Sequence, residues 1–304
     1  MKSPLHGLVA APFTPFKSDG AVALDVVPRL ATLLARNDVK GAFICGTTGE
    51  GASLTTTERL QLASAWRQAA PAGLKLIVHV GHSSIQESRS FARHAQEIGA
   101  DAIATIAPSF FKPPGVVELV AWCREVAAAA PTLPFFYYHM PSMTGLNITA
   151  TDFLREADGK IPTLVGVKFT YEDLADYQSA RAFADGRYAI LFGRDEILLD
   201  GLKLGAPGAV GSTYNYAAPV YQKVMQAFAA GDLATAAKEQ AKARAFIDVM
   251  NARGGLPIGK MIMKLIGVDC GPVRLPLRQP PEAMEQELRA ALTSVGFFDF
   301  ASKP

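Results

Sequence analysis

Lys168 stands near the end of an apolar run, Leu164-Val165-Gly166-Val167-Lys168-Phe169. The run reads as a buried strand, and burial strips water from an ammonium and so favours the free amine. A free amine attacks ketones and forms a Schiff base. A strand-end lysine that snorkels to solvent is the competing reading. A second reactive group arrives in the same way. Tyr138 ends the run Phe135-Phe136-Tyr137-Tyr138, ahead of a turn with Pro141 and Gly145. Its neighbour Tyr137 must face the other side of such a strand and reads as a packing residue. Three polar clusters also follow apolar runs: Gly46-Thr47-Thr48-Gly49-Glu50, Gly193-Arg194-Asp195-Glu196 and Gly211-Ser212-Thr213-Tyr214-Asn215. In the first, glycines open the backbone to a ligand, and N–H groups with two hydroxyls suit a carboxylate. It could equally be a tight loop, and Asp195-Glu196 a solvated helix start.

These clusters gain weight from the elements that position them. Eight short apolar runs recur: residues 7–11, 41–45, 76–80, 102–106, 135–138, 165–169, 189–192 and 209–212. They show little alternation, as expected of strands covered on both faces. Amphipathic segments separate them, for example 24–37, 57–70, 85–98 and 116–130. Thr55-Thr56-Thr57-Glu58 and Ser83-Ser84 supply cap hydroxyls, and Gly99 and Gly205 fall where helices should stop. The pattern predicts a (β/α)8 TIM barrel, in which strand C-terminal ends converge on one rim. Thr47, Thr48, Tyr138, Lys168, Thr170, Gly193, Asp195, Glu196, Gly211 and Ser212 would then meet. The eighth barrel helix is expected over 220–230. Helices over 233–251, 257–266 and 281–294 form a C-terminal three-helix extension. This divides the chain into a catalytic barrel, 1–230, and a helical domain, 231–304.

Composition removes several function classes. The 304 residues are 49% hydrophobic, which marks a packed globular chain. Lys and Arg number 30 against 28 Asp and Glu, so no polyanion-binding surface and no nucleic-acid partner is expected. Charges, Pro and Gly interrupt every apolar stretch before membrane-spanning length. Met1-Lys2-Ser3-Pro4 leads straight into the first strand without a signal-peptide core. No GxGxxG follows the first strand and no GxxxxGK[ST] occurs, against dinucleotide and triphosphate binding. Cys45, Cys123 and Cys270 make neither a zinc motif nor a disulfide framework, which suits a reducing cytoplasm. His79 and His82 end the third run, but their spacing and the lack of a nearby carboxylate argue against a metal site. They and His139 read as hydrogen-bonded residues.

GTTGE at 46–50, YHMPSMTG at 138–145 and VGVKFT at 165–170 make a specific set in order and separation. Through them nearly the whole chain resembles the pyruvate-dependent Schiff-base aldolases, the family that holds dihydrodipicolinate synthases and sialic acid lyases. The resemblance implies a barrel with C-terminal helices, usually a homotetramer, with Lys168 and Tyr138 catalytic and no metal or organic cofactor. Thr47 and Thr48 would take the substrate carboxylate, and Thr170 the hydroxyl at the bond that breaks. Synthases carry an arginine where this chain has Met143, whose thioether cannot clamp a second carboxylate. FGRDE with GSTYN is similar to the sialic-acid-cleaving branch, in which Asp195, Glu196 and Ser212 would hold a polyol tail while Gly193 and Gly211 open the backbone. The substrates implied are sialic acid, pyruvate and N-acetylmannosamine. An aldolase for 2-keto-3-deoxy sugar acids, a dihydrodipicolinate synthase and an inactive sugar-acid-binding barrel remain alternatives. One departure stands out: Pro108-Ser109-Phe110-Phe111-Lys112 lacks the tyrosine that many members extend into a neighbouring subunit.

Overall fold

The computed structural model describes residues 3 and 5–304. Of the opening Met1-Lys2-Ser3-Pro4, expected to lead straight into a strand, Met1, Lys2 and Pro4 lie outside the described residues. Eight strands follow: β1 (Gly7–Ala10), β2 (Gly41–Ile44), β3 (Lys75–His79), β4 (Ala102–Ile106), β5 (Phe135–His139), β6 (Leu164–Phe169), β7 (Ala189–Phe192) and β8 (Gly208–Gly211). Each pairs in parallel with the next, and β8 pairs with β1, closing the TIM barrel. Every strand falls within a residue of its expected limits, because apolar runs covered on both faces end where polar rim segments begin.

Alternate residues supply two cores. Val9, Phe43, Ile77, Phe136 and Val210 fill the lumen, while Leu8, Ile44, Leu76 and Phe135 pack outward against the helices. Each buried Phe, Ile or Leu contributes about 1.5–3 kcal/mol over its exposed state. The outer layer holds α1 (Val27–Arg36), α2 (Thr56–Ala69), α3 (Ile85–Glu97) and α4 (Val116–Ala128). Then come the single turn α5 (Pro141–Thr144), α6 (Ala150–Ala157), α7 (Leu174–Ala182), α8 (Leu198–Lys203) and α9 (Tyr214–Ala229). Thr55 and Glu58 make a reciprocal capping box on α2, and Ser84 caps α3. Gly99 and Gly205 take positive φ just past α3 and α8.

Two boundaries differ from the sequence expectation. The eighth barrel helix starts at Tyr214, not residue 220. Pro219 lies inside it, and the chain breaks helical geometry at Ala217 (φ −139°, ψ 23°). A proline normally marks a helix start, but here the kink two residues earlier accommodates the ring. The extension comprises α10 (Leu233–Asn251), α11 (Leu256–Leu265) and α12 (Met284–Ser294). The last begins three residues after the expected Pro281. Helix α10 packs along α9, which brings the extension back over the rim. Among the described residues no helix is long and apolar enough to cross a membrane.

Candidate active site

Strand β6 carries an irregularity that decides where Lys168 points. Phe135 pairs with Leu164 but Phe136 with Gly166, so Val165 is an extra residue on the β6 side. Leu164 packs outward and Val165 inward, and after the bulge Val167 and Phe169 pack outward. Lys168, between them, therefore faces the lumen; strict alternation from Leu164 would turn it to the helix layer. Gly166 is needed at the bulge because a Cβ there would lie 1.9 Å from Ala189 O.

Lys168 is 4% exposed. Its Nζ lies 4.1 Å from the Phe43 ring centroid and 4.0 Å from that of Tyr138. Aromatic faces stabilise the cation weakly and exclude water. Among the described residues no carboxylate forms a salt bridge with it. Tyr138 is the direct cross-strand partner of Lys168. Its hydroxyl donates to Met140 Sδ (2.9 Å) and lies 3.3 Å from Thr47 Oγ1. A thioether is a weak acceptor, so this hydrogen bond holds the hydroxyl only weakly in place. The lumen-facing set continues with His79, whose ring meets Tyr138 edge-on at 5.9 Å. His79 Nδ1–H donates to Cys45 O, and the Ile106 N–H donates to Nε2. Burial, then the Arg59 and Lys168 cations, hold its pKa well below the usual imidazole range. With both nitrogens engaged, it is a fixed neutral neighbour. His139 donates to Ile148 O and His82 Nδ1 accepts the Ser84 N–H. Tyr137 faces away and stacks on Phe153 at 4.1 Å.

One cleft of about 250 Å³ is lined by all ten residues singled out from the sequence: Thr47, Thr48, Tyr138, Lys168, Thr170, Gly193, Asp195, Glu196, Gly211 and Ser212. Met143 lies at its edge. The glycines have a steric reason beyond ligand access. A Cβ on Gly211 would sit 1.8 Å from Asp195 Oδ1, and one on Gly193 would sit 2.2 Å from Thr170 Oγ1. Small residues on β7 and β8 thus leave room for these polar side chains to enter the cleft.

Asp195 is buried, and its Oδ2 accepts the Thr213 N–H (3.1 Å) and hydroxyl (2.6 Å). Oδ1 has no hydrogen-bond partner among the described residues. Burial and then the Glu196 charge raise its pKa from 3.8 to about 6. The ionised form is thus the costly one in the folded protein. That cost is absent below the ordinary carboxylate value, grows between pH 3.8 and about 6, and is complete above. Asp195→Asn should therefore match the wild type in stability near pH 4 and exceed it at pH 8, by up to roughly 3 kcal/mol. Unfolding midpoints of both proteins at the two pH values check this; a difference independent of pH would sink the buried-charge account.

Some residues of the site were given no role by sequence reasoning. Phe43 forms one wall around Lys168 from across the barrel. Arg194 pairs with Glu172 and brings Nε to 3.7 Å from Glu196 Oε2, bracing that carboxylate at the mouth. Gln240 of α10 donates to the carbonyls of Asp195 and Glu196. Ile247, Met250, Asn251 and Gly259 of α10 and α11 complete the lining. Apart from the FGRDE run, which names Arg194, no local pattern could have found them.

The comparisons place the chain among known proteins. Residues 4–295 match the model of the dihydrodipicolinate synthetase family. The mouse (Mus musculus) N-acetylneuraminate lyase is 44% identical over 308 residues, covering 100% of this chain and 95% of that protein. The human (Homo sapiens) N-acetylneuraminate lyase is 42% identical, covering 98% and 95%. The solved structure of Proteus mirabilis N-acetylneuraminate lyase superposes with a TM-score of 0.94 at 41% identity, covering 96% of this chain and 99% of that one.

Proposed function

The chain belongs to the dihydrodipicolinate synthetase family, and we propose that within it this carbon–carbon lyase cleaves N-acetylneuraminate reversibly to pyruvate and N-acetylmannosamine. The observation that carries the reading is the pairing of a dehydrated Lys168 with Tyr138 at one end of a cleft whose other end holds Asp195 and Glu196. The relatives named above are lyases for that sugar acid. Met143, in place of a carboxylate-binding arginine, counts against a dicarboxylic substrate.

The open-chain substrate sets its carboxylate on Thr47, Thr48 and their backbone N–H groups. The Lys168 amine adds to the C2 ketone, and loss of water leaves a protonated imine. That cation draws electrons. Tyr138 takes the proton of the C4 hydroxyl, directly or through the substrate carboxylate, and Thr170 positions that hydroxyl. The C3–C4 bond breaks, its electron pair passes to the imine, and N-acetylmannosamine leaves as the aldehyde. The pyruvate enamine is protonated at C3 and hydrolysed. Asp195, Glu196 and Ser212 hold the polyol tail. The barrel, to residue 230, carries the chemistry, and the extension from 231 lines the mouth. A cytoplasmic homotetramer completes the proposal. The buried free cysteines and the apolar rim pair Phe110 and Phe111, 80% and 85% exposed, support it.

Borohydride reduction in the presence of pyruvate, followed by peptide mass spectrometry, tests the class. A stable adduct on Lys168 is expected, and its absence in folded protein would overturn the reading. Aldehyde identification after turnover then tests the substrate. Glu196→Ala should raise KM for the nine-carbon acid about 10–100-fold, the scale of a hydrogen bond to a charged group. Trapping with pyruvate should be unchanged, since pyruvate has no polyol tail. Equal loss in both assays would contradict the polyol role.

A further inference from the structure

The Gly46–Glu50 turn is bracketed by two non-glycine residues in the left-handed region, Cys45 (φ 58°) and Glu50 (φ 51°). Such residues persist only where surroundings over-determine the backbone. A buried ionic contact supplies that determination. Lys260 Nζ of α11 lies 2.8 Å from Glu50 Oε1, and the two side chains are 2% and 1% exposed. The contact is ionic rather than an aligned hydrogen bond, since Oε1 gains no hydrogen-bond donor from it. Lys260 Nζ also donates to Pro272 O (2.7 Å). The Arg274 backbone N–H donates to Glu50 Oε2 (2.9 Å), while its guanidinium donates to Ser53 O and pairs with Glu58. Thr14 Oγ1 donates to Gly49 O (2.6 Å). The turn that presents Thr47 and Thr48 to the cleft is thus gripped by Thr14 and, from over 200 positions away, by Lys260 and Arg274.

A buried ion pair is a poor device for stability alone, because an apolar pair of similar volume often does as well. It does fix geometry, since each charge must meet its partner. We infer that Glu50, held by Lys260 and Arg274, is a positioning residue for the carboxylate-binding turn, and that the C-terminal extension sets the affinity for pyruvate through it. This rests on reading Thr47 and Thr48 as the carboxylate site. Glu50 does not line the cleft among the described residues, so its effect on substrate is indirect.

The test uses the full chain, pyruvate and borohydride, and reads the pyruvate concentration at which half the protein is trapped. The double variant Glu50→Gln/Lys260→Met removes both charges with little change of shape. It should fold, be trapped on Lys168 at saturation, and need about tenfold more pyruvate for half-trapping, as expected of a slightly misplaced binding group. Glu50→Asp keeps the charges balanced while shortening the reach. It should shift the requirement the same way and serves if the double variant does not fold. A lowered unfolding midpoint with unchanged half-trapping, in either variant, would mean a purely structural pair and overturn the role. A wild type that traps nothing would instead overturn the aldolase reading, and this role with it.

Discussion

Lys168→Ala is expected to leave a folded protein with no measurable cleavage of N-acetylneuraminate and no pyruvate adduct after borohydride. The substitution removes a mostly hydrocarbon stem from between Phe43 and Tyr138. The lost packing costs a few kcal/mol at most on the scale of about 2–5 kcal/mol for large-to-alanine changes in a core. It is offset because the poorly hydrated ammonium also disappears. The chemical loss has no such offset. Lys168 is the only lysine among the described residues that line the cleft. Lys260, the other deeply buried lysine, is committed to Glu50. In the proposed mechanism the imine is the sink for the electrons of the C3–C4 bond, and among the described residues lining the cleft no other amine could form one. Intact mass after trapping, beside a cleavage assay, settles the matter: turnover above about 1% of wild type would place the nucleophile elsewhere.

The barrel and its rim were legible for a physical reason. Strands sheathed by helices on one side and packed in a lumen on the other are apolar throughout, so their ends stand out against polar rim segments. Chain direction then tells which end each strand offers, and parallel closure brings those ends together. That is why GTTGE, Tyr138, Lys168, Asp195-Glu196 and Ser212 can be assigned to one rim from the sequence alone. What stayed hidden depends on details that alternation and spacing do not carry. The extra residue at Val165 reverses the face that strict alternation from Leu164 gives Lys168. The true start of α9 lies ahead of Pro219, which sits inside the helix just after the break in helical geometry at Ala217. Phe43, Gln240 and Met250 join the site only through long-range packing. The helical extension also supplies lining side chains, because α10 lies back along α9.

Tyr138→Phe is expected to cost about 10²–10³-fold in kcat, within the usual range for a positioned acid–base group. The variant is unusually clean. The ring that packs on Lys168 and meets Phe43 edge-on at 5.5 Å remains, so only a hydroxyl and its contacts with Met140 Sδ and Thr47 are lost. Neither contact is strong: a thioether accepts poorly, and 3.3 Å is long for a hydroxyl pair. Folding should thus be nearly unaffected. The effect should also divide between steps. In the proposed mechanism imine formation with pyruvate uses the Lys168 amine and the Thr47-Thr48 turn, both intact, so trapping at saturating pyruvate should persist. Breaking the C3–C4 bond needs the C4 hydroxyl proton removed, and only there does the missing phenol matter. Single-turnover measurements of the two steps would separate them. Full activity would remove Tyr138 from the mechanism. Equal slowing of both steps would move it from bond cleavage to imine formation, because a proton carrier serving only the later step cannot limit the earlier one.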